Sequence, residues 1–202
     1  MNCYLATSNR HKAEELARLL SERGLSRIVL RTARDVGGMP DVEETAGTFE
    51  GNARLKARAL RERIGKDAWV LADDSGLEVD ALGGAPGVHS ARYAGVGASD
   101  EENCLKLLRE LDEMGDPESS ARFRCCLILI SPDGKEELFE GVCEGRIASK
   151  PSGNSGFGYD PVFVPDGCRQ TFAELGAREK DRVSHRGLAW RKLADRFART
   201  GG

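Results

Sequence analysis

Short apolar runs alternate along the chain with longer stretches in which apolar residues recur every three or four positions. Asn2 to Ala6 reads as a short buried strand that breaks at Thr7-Ser8-Asn9. Leu16, Leu19 and Leu20 fall on one face of a helix expected from His11 to Arg23, with Gly24 as its stop. Ile28 to Leu30 suggests a second strand, and a polar stretch from Thr32 to Gly47 follows. Phe49, Ala53, Ala57, Leu60 and Ile64 then keep helical spacing in a segment starting near Thr48, with Gly65 beyond its end. Ala68 to Ala72 is the next apolar strand, and it runs straight into Asp73-Asp74-Ser75-Gly76. This rhythm of strand, loop and helix predicts an α/β protein.

The second half changes character. Gly83-Gly84-Ala85-Pro86-Gly87 is turn chemistry, and Ser99 with Glu102 makes a capping box for a helix reaching Met114. Phe123 to Ile130, Pro132-Asp133-Gly134 and Glu137 to Ile147 read as a long hairpin. A glycine-rich loop, Ser152 to Gly158, precedes Tyr159-Asp160-Pro161-Val162-Phe163. Ser184 is placed to cap a last helix with the stripe Leu188, Leu193, Ala194 and Phe197. No repeat, low-complexity tract or linker interrupts the chain. The expectation is a single domain over residues 1–202, with two lobes around a central cleft and a mixed twisted sheet with flanking helices.

Composition narrows the function classes. With 202 residues, 40% apolar and 31% charged, the chain can close a core. A formal charge of −3 argues against coating nucleic acid, which needs a basic excess, yet leaves room for one polyphosphate in a local basic pocket. The longest apolar run, Cys125 to Ile130, is far short of the ~20 residues of a membrane span. Met1 to Ala6 has no charged leader pattern, so a cytoplasmic protein with no membrane partner is expected. The six cysteines form no Cys-x-x-Cys, and reduced, mostly buried thiols are the plain reading.

Polar clusters follow the strand ends at Thr7 to Lys12 and Asp73 to Ser75, where open α/β sheets bind ligands. Thr7, Ser8 and Asn9 offer short donors and backbone amides ahead of a helix N-terminus, which suits an anion, and Lys12 adds a positive charge. An ordinary N-cap with a solvated lysine would look the same. Asp73 and Asp74 repel each other and need a cation or hydrogen-bond donors nearby; such oxygen ligands suit Mg²⁺. Either acid of the pair Glu43-Glu44 could complete that site, while a self-capped Asp-Ser-Gly turn needs no metal.

There is no Gly-x-x-x-x-Gly-Lys-Ser/Thr, no Gly-x-Gly-x-x-Gly opening a helix, and no zinc-like spacing among His11, His89 and His185. His185 stands between Ser184 and Arg186 at a helix start, a place suited to reading a polar ligand. A planar base could stack on Phe157 or Tyr159, with Asp160 nearby, or these rings could simply plug the core.

Five segments occur together. They are Ala6-Thr7-Ser8-Asn9-x-x-Lys12; Ala72-Asp73-Asp74-Ser75-Gly76-Leu77; Leu82-Gly83-Gly84-Ala85-Pro86-Gly87 with Ser90-Ala91-Arg92-Tyr93; Gly156-Phe157-Gly158-Tyr159-Asp160-Pro161; and Ser184-His185-Arg186. In this order, over nearly the whole chain, they resemble the inosine/xanthosine triphosphate pyrophosphatase family, which cleanses nucleotide pools of deaminated purines. Ser8 departs from it, since the family often has glycine there; both are small, and a tolerated variation is expected.

The resemblance implies that Thr7, Ser8, Asn9, Arg10, His11 and Lys12 bind the triphosphate, with Lys56 nearby. It implies Asp74 as catalytic acid/base, Ser75 as its substrate-binding neighbour, and Glu44 and Asp74 as Mg²⁺ ligands. Phe157, Gly158, Tyr159, Asp160, Lys180, His185 and Arg186 match positions around base and sugar. It further implies attack at the α-phosphorus, release of pyrophosphate, a small-molecule nucleotide partner and a homodimer. A donor such as Arg186 or a backbone amide, aimed at the C6 carbonyl of hypoxanthine or xanthine, would face an adenine amino group with another donor, and so reject it. A sister pyrophosphatase of the septum-inhibition type and a non-enzymatic nucleotide sensor are the rivals; Ser184-His185-Arg186 argues against the first and Asp73-Asp74 against the second.

Overall fold

The N-terminal strand β1 (Asn2–Ala6) buries Cys3, Leu5 and Ala6, and its neighbours run parallel to it on both sides. The structure, a computed structural model, describes residues 1–25 and 27–199. On one side lies β2 (Val29–Thr32), with Asn2 opposite Val29 and Leu5 opposite Thr32. On the other lies β3 (Trp69–Val79), paired from Cys3 opposite Trp69 to Ala6 opposite Ala72. Three further strands, β4 (Ser120–Ile130), β5 (Glu136–Ile147) and β6 (Phe163–Pro165), complete a sheet of order β2-β1-β3-β4-β5-β6. The β5–β6 pair is antiparallel, so the sheet is mixed and the fold is α/β, as the alternation of elements predicts.

The strand β3 corrects one expectation. The apolar run stops at Ala72, but the strand does not; it continues through Asp73, Asp74 and Ser75 to Val79. What ends at Ala72 is the parallel ladder with β1. Leu77 and Val79, both fully buried, resume the apolar alternation beyond the acids. The interruption is chemical rather than conformational.

The helices follow their caps. In α1 (Arg10–Glu22) the Asn9 side chain accepts from the amides of His11 and Lys12 at 2.9 and 3.3 Å. Thr48 caps α2 (Phe49–Ile64), accepting from Gly51 N at 3.1 Å, and the Ser99–Glu102 capping box opens α3 (Asp100–Glu113). A short helix, α4 (Ala177–Val183), has no counterpart in the sequence reading; its seven residues carry too little apolar periodicity to announce it. Ser184 follows it and accepts from Gly187 N at 3.1 Å at the start of α5 (His185–Arg199), as its position suggests.

Contacts divide the chain into two compact units. The first comprises Met1–Asp74, Cys125–Gly141 and Leu188–Gly202, and the second Ser75–Arg124 and Val142–Gly187. The first has one core around Leu5, Leu16, Leu71, Leu127 and Trp190, and another around Ala6, Ala53, Ala57, Val70 and Ile128. The second is built on Leu77, Leu107, Phe123, Phe163 and Phe172. All six cysteines are free thiols, five of them buried. Among the described residues no helix is long and apolar enough to cross a membrane.

Candidate active site

Successive residues of a strand point to opposite faces, so Asp73 and Asp74 meet different neighbours. Lys12, in the first turn of α1, hydrogen-bonds Asp73 Oδ1, and the Cys125 thiol on β4 lies 3.5 Å from Asp73 Oδ2. Lys56, midway along α2, donates to Asp74 Oδ1 at 2.5 Å and lies 3.7 Å from Glu44 Oε1. The Asp73 side chain is 0% exposed, and those of Asp74, Lys12 and Lys56 are 10%, 13% and 13% exposed. Two lysines from two helices thus neutralise two adjacent acids, which is why β3 tolerates them. Burial still dominates at Asp74. It pushes that carboxyl above its ordinary range, against the pull of Lys56 and Lys12 and with a further push from Glu44.

The loop from Thr7 to Asn9 is held by its own side chains. Thr7 Oγ1 accepts from Asn9 N at 3.1 Å, and Asn9 caps α1, while Ser8 stays exposed. Arg10 and His11 turn toward Glu14 on the exposed side of the helix, at 2.5 and 4.0 Å. Of the segment's three basic side chains, Lys12 pairs with Asp73 on β3.

The local pattern leaves Glu43 and Glu44 equal and the family resemblance selects Glu44; the geometry also separates the two. Glu43 is exposed, whereas Glu44 reaches the ammonium that Asp74 also holds. Among the described residues no three His, Cys, Asp or Glu side chains gather into a metal-binding group. Two carboxylates around one cationic position fit a different pattern, a magnesium ion held by one or two acids and finished by substrate phosphates.

In the second unit, Ser75 is the residue that follows Asp74, and its hydroxyl accepts from Arg186 Nη2 at 2.8 Å. The Arg186 guanidinium lies 5.3 Å from the centre of the Phe157 ring, and Lys180 Nζ lies 5.1 Å from it. Lys180, from α4, also donates to Asp160 Oδ2 at 2.6 Å, where Phe157 N donates at 2.8 Å. Asp160 therefore fixes the loop that presents Phe157. Gly156, at φ +82°, passes so close to that carboxylate that a Cβ would collide with it. His185 is buried and stacks on Phe123, ring centres 4.6 Å apart and 8° from parallel.

The two rings offered for base stacking part company. Tyr159 is buried in the apolar cluster, its hydroxyl donating to Ser90 O at 2.9 Å, whereas Phe157 remains partly exposed. Gly158 beside them donates its amide to Asp100 at 2.7 Å.

The Ham1 family profile matches residues 3–196. The chain belongs to the Ham1 family. A protein of Opitutus terrae named dITP/XTP pyrophosphatase is 51% identical over 96% of this chain and 98% of its own length. One of the same name from Bacillus licheniformis is 46% identical over 94% of each. Among solved structures, a HAM1 protein from Coxiella burnetii superposes with a TM-score of 0.88 at 39% identity, covering 98% of this chain and 99% of its own. The Staphylococcus aureus Ham1 protein gives 0.85 at 36% identity, covering 98% of both. The Ham1 assignment agrees with the resemblance read from the five segments.

Sequence reasoning missed Cys125 as a neighbour of Asp73 in this Ham1 chain. The two are 52 positions apart, and a thiol in an apolar run reads only as core. It also gave Asp160 a place around the nucleotide without the loop-fastening bonds from Lys180 and Phe157 that occupy its Oδ2.

Proposed function

We propose that this Ham1 chain hydrolyses non-canonical purine nucleoside triphosphates, ITP, dITP and XTP, to the monophosphate and pyrophosphate with Mg²⁺, so removing deaminated purines from the nucleotide pool. The activity class rests on full-length relatives named for it, and the chain is a nucleoside triphosphate pyrophosphatase, a hydrolase. The observation that carries the finer reading is the cluster of Lys12, Lys56, Asp73, Asp74 and Glu44. A triphosphate needs cations along its length and a positioned water at the phosphorus to be attacked.

In this reading water attacks the α-phosphorus. A new P–O bond forms to the water oxygen, the bond to the bridging β-oxygen breaks, and pyrophosphate leaves with that electron pair. Asp74 accepts the water's proton, a task suited to a carboxylate whose proton affinity burial has raised. Lys12 and Lys56, already oriented by the two acids, neutralise phosphate oxygens. Glu44 and Asp74 would hold Mg²⁺, which when bound supplies Lewis-acid charge to those oxygens.

The group of Ser75, Phe157, Lys180, His185 and Arg186 takes the base and sugar. Phe157 offers a partly exposed aromatic face, and Arg186 offers guanidinium donors suited to a purine carbonyl. A cytoplasmic homodimer is the expected working form. The test is pyrophosphate release across canonical and deaminated triphosphates, with and without Mg²⁺. Preference for ITP, dITP and XTP over ATP and GTP is expected; equal turnover of ATP overturns the substrate assignment.

A further inference from the structure

On α2, Asn52 lies one turn ahead of Lys56 and is completely buried. The other buried positions of that helix, Phe49, Ala53, Ala57 and Leu60, are all apolar. A carboxamide at such a place is kept where hydrogen bonds offset its lost hydration. Asn52 Oδ1 accepts from the backbone amide of Ala46 at 3.0 Å, and among the described residues Nδ2 has no partner. The bond reaches back six residues into residues 39–46, which contain neither helix nor strand.

A second contact fastens the same point. A Cβ on Gly51 would meet Ala46 Cβ at 2.5 Å and Thr48 Oγ1 at 3.0 Å, so the missing side chain is what lets Ala46 close on the helix. Two residues before Ala46 stands Glu44, whose carboxylate lies 3.7 Å from Lys56 Nζ. One turn of α2 therefore carries both the lysine that Glu44 approaches and the amide that anchors the loop bearing Glu44.

We propose that Asn52 is a positioning residue for the metal site. Its carboxamide clamps Ala46, with the space left by Gly51, and so aims Glu44 at the Lys56–Asp74 pair. The inference rests on the reading of Glu44 as a metal ligand. It differs from a packing role, in which Asn52 would steady the first turn of α2 and leave metal affinity alone.

The test uses the full chain with Mn²⁺ alone as the probe, its affinity read by paramagnetic resonance, beside amide hydrogen exchange at Ala46. Asn52→Leu keeps the bulk and removes the acceptor; it should speed Ala46 exchange at least tenfold and weaken Mn²⁺ about 10-fold, as loss of a ligand's supporting partner does. Asn52→Asp keeps an oxygen for the Ala46 amide and should restore both readings. Gly51→Ala displaces Ala46 with Asn52 intact and should also weaken Mn²⁺, a check that holds if Asn52→Leu fails to fold. A faster Ala46 amide or a lower Tm with wild-type Mn²⁺ affinity in Asn52→Leu, or in Gly51→Ala, overturns the proposal. Glu44→Gln tells the two failures apart. If it too binds Mn²⁺ like wild type, the metal reading of Glu44 falls; if it binds weakly while Asn52→Leu does not, only the positioning role falls.

Discussion

Lys56 Nζ lies 2.5 Å from Asp74 Oδ1, so the carboxylate read as the base of the reaction is already joined to a cation from another element. The neighbouring acid repeats the arrangement with Lys12. Each lysine can bind a phosphate only by sharing or exchanging its carboxylate. A divalent cation would supply what Glu44 and Asp74 then lack, and that gives the first expectation its physical basis.

Chelation should abolish pyrophosphate release, and added Mg²⁺ should restore it. The acids that would hold the ion are Glu44 and Asp74, and magnesium commonly takes one or two protein carboxylates plus substrate oxygens. Full turnover in excess chelator would dispose of the two-carboxylate site.

The adjacent aspartates should fail in opposite ways. Asp74→Asn should lower the rate by ~10² or more, since general-base catalysis is worth 10²–10⁴. Burial raises the Asp74 pKa in the folded protein, so its ionised form costs stability once pH exceeds the folded value. The Asp74→Asn protein, neutral at that position, should therefore melt no lower than wild type at pH 7. Asp73→Asn removes a fully buried partner of Lys12 and Cys125 and should cost about 3–5 kcal/mol of stability, the range for breaking a buried ion pair. Matched thermal melts and initial rates read both. A large melting loss in Asp74→Asn with a normal rate would reverse the two roles.

The acid limb of the pH–rate profile should follow Asp74. Activity needs the carboxylate, so it falls as pH drops through the Asp74 pKa, which burial raises and a bound Mg²⁺ would lower. Lys56 is the first of the groups that hold this pKa down, so Lys56→Met should move the acid limb of kcat/KM to higher pH. A limb that stays in place would detach it from Asp74.

Much of this was legible along the chain because the signals were local. The periodic helices, the Ser99–Glu102 box and the acids after Ala72 each declare themselves within a few residues. What escaped depends on distant partners. Asp73 and Asp74 read as the end of a strand because their polarity masks the continuing alternation; Lys12 and Lys56, far off in sequence, stabilise that continuation. Lys180 could be marked as a site residue while α4 beneath it went unseen, and nothing near Glu43 and Glu44 tells which one Lys56 will meet. Tyr159 and Phe157 are equivalent rings in sequence; a hydrogen bond to Ser90, 69 positions away, sends one of them into the core.

The two ends of the nucleotide should respond to different mutations. Lys12 belongs to the acidic cluster of β3, whereas Arg186 lies against Ser75 and Phe157. A charge that meets phosphate carries no information about the base, so Lys12→Ala should weaken ITP and ATP alike. It also removes a cationic partner of the buried Asp73 carboxylate, so absolute rates will fall for a second reason, and the ratio of kcat/KM values is the quantity to compare. Arg186→Ala should compress the preference for ITP over ATP, because the lost donor is the one read as facing the purine carbonyl. A hydrogen bond from a charged donor is worth ~1.5–3 kcal/mol, or about ten- to a hundredfold in that ratio. The kcat/KM values of both variants on both substrates, set beside those of wild type, decide the matter. A ratio that moves in Lys12→Ala and holds in Arg186→Ala would mean that the phosphate and base ends have been assigned the wrong way round.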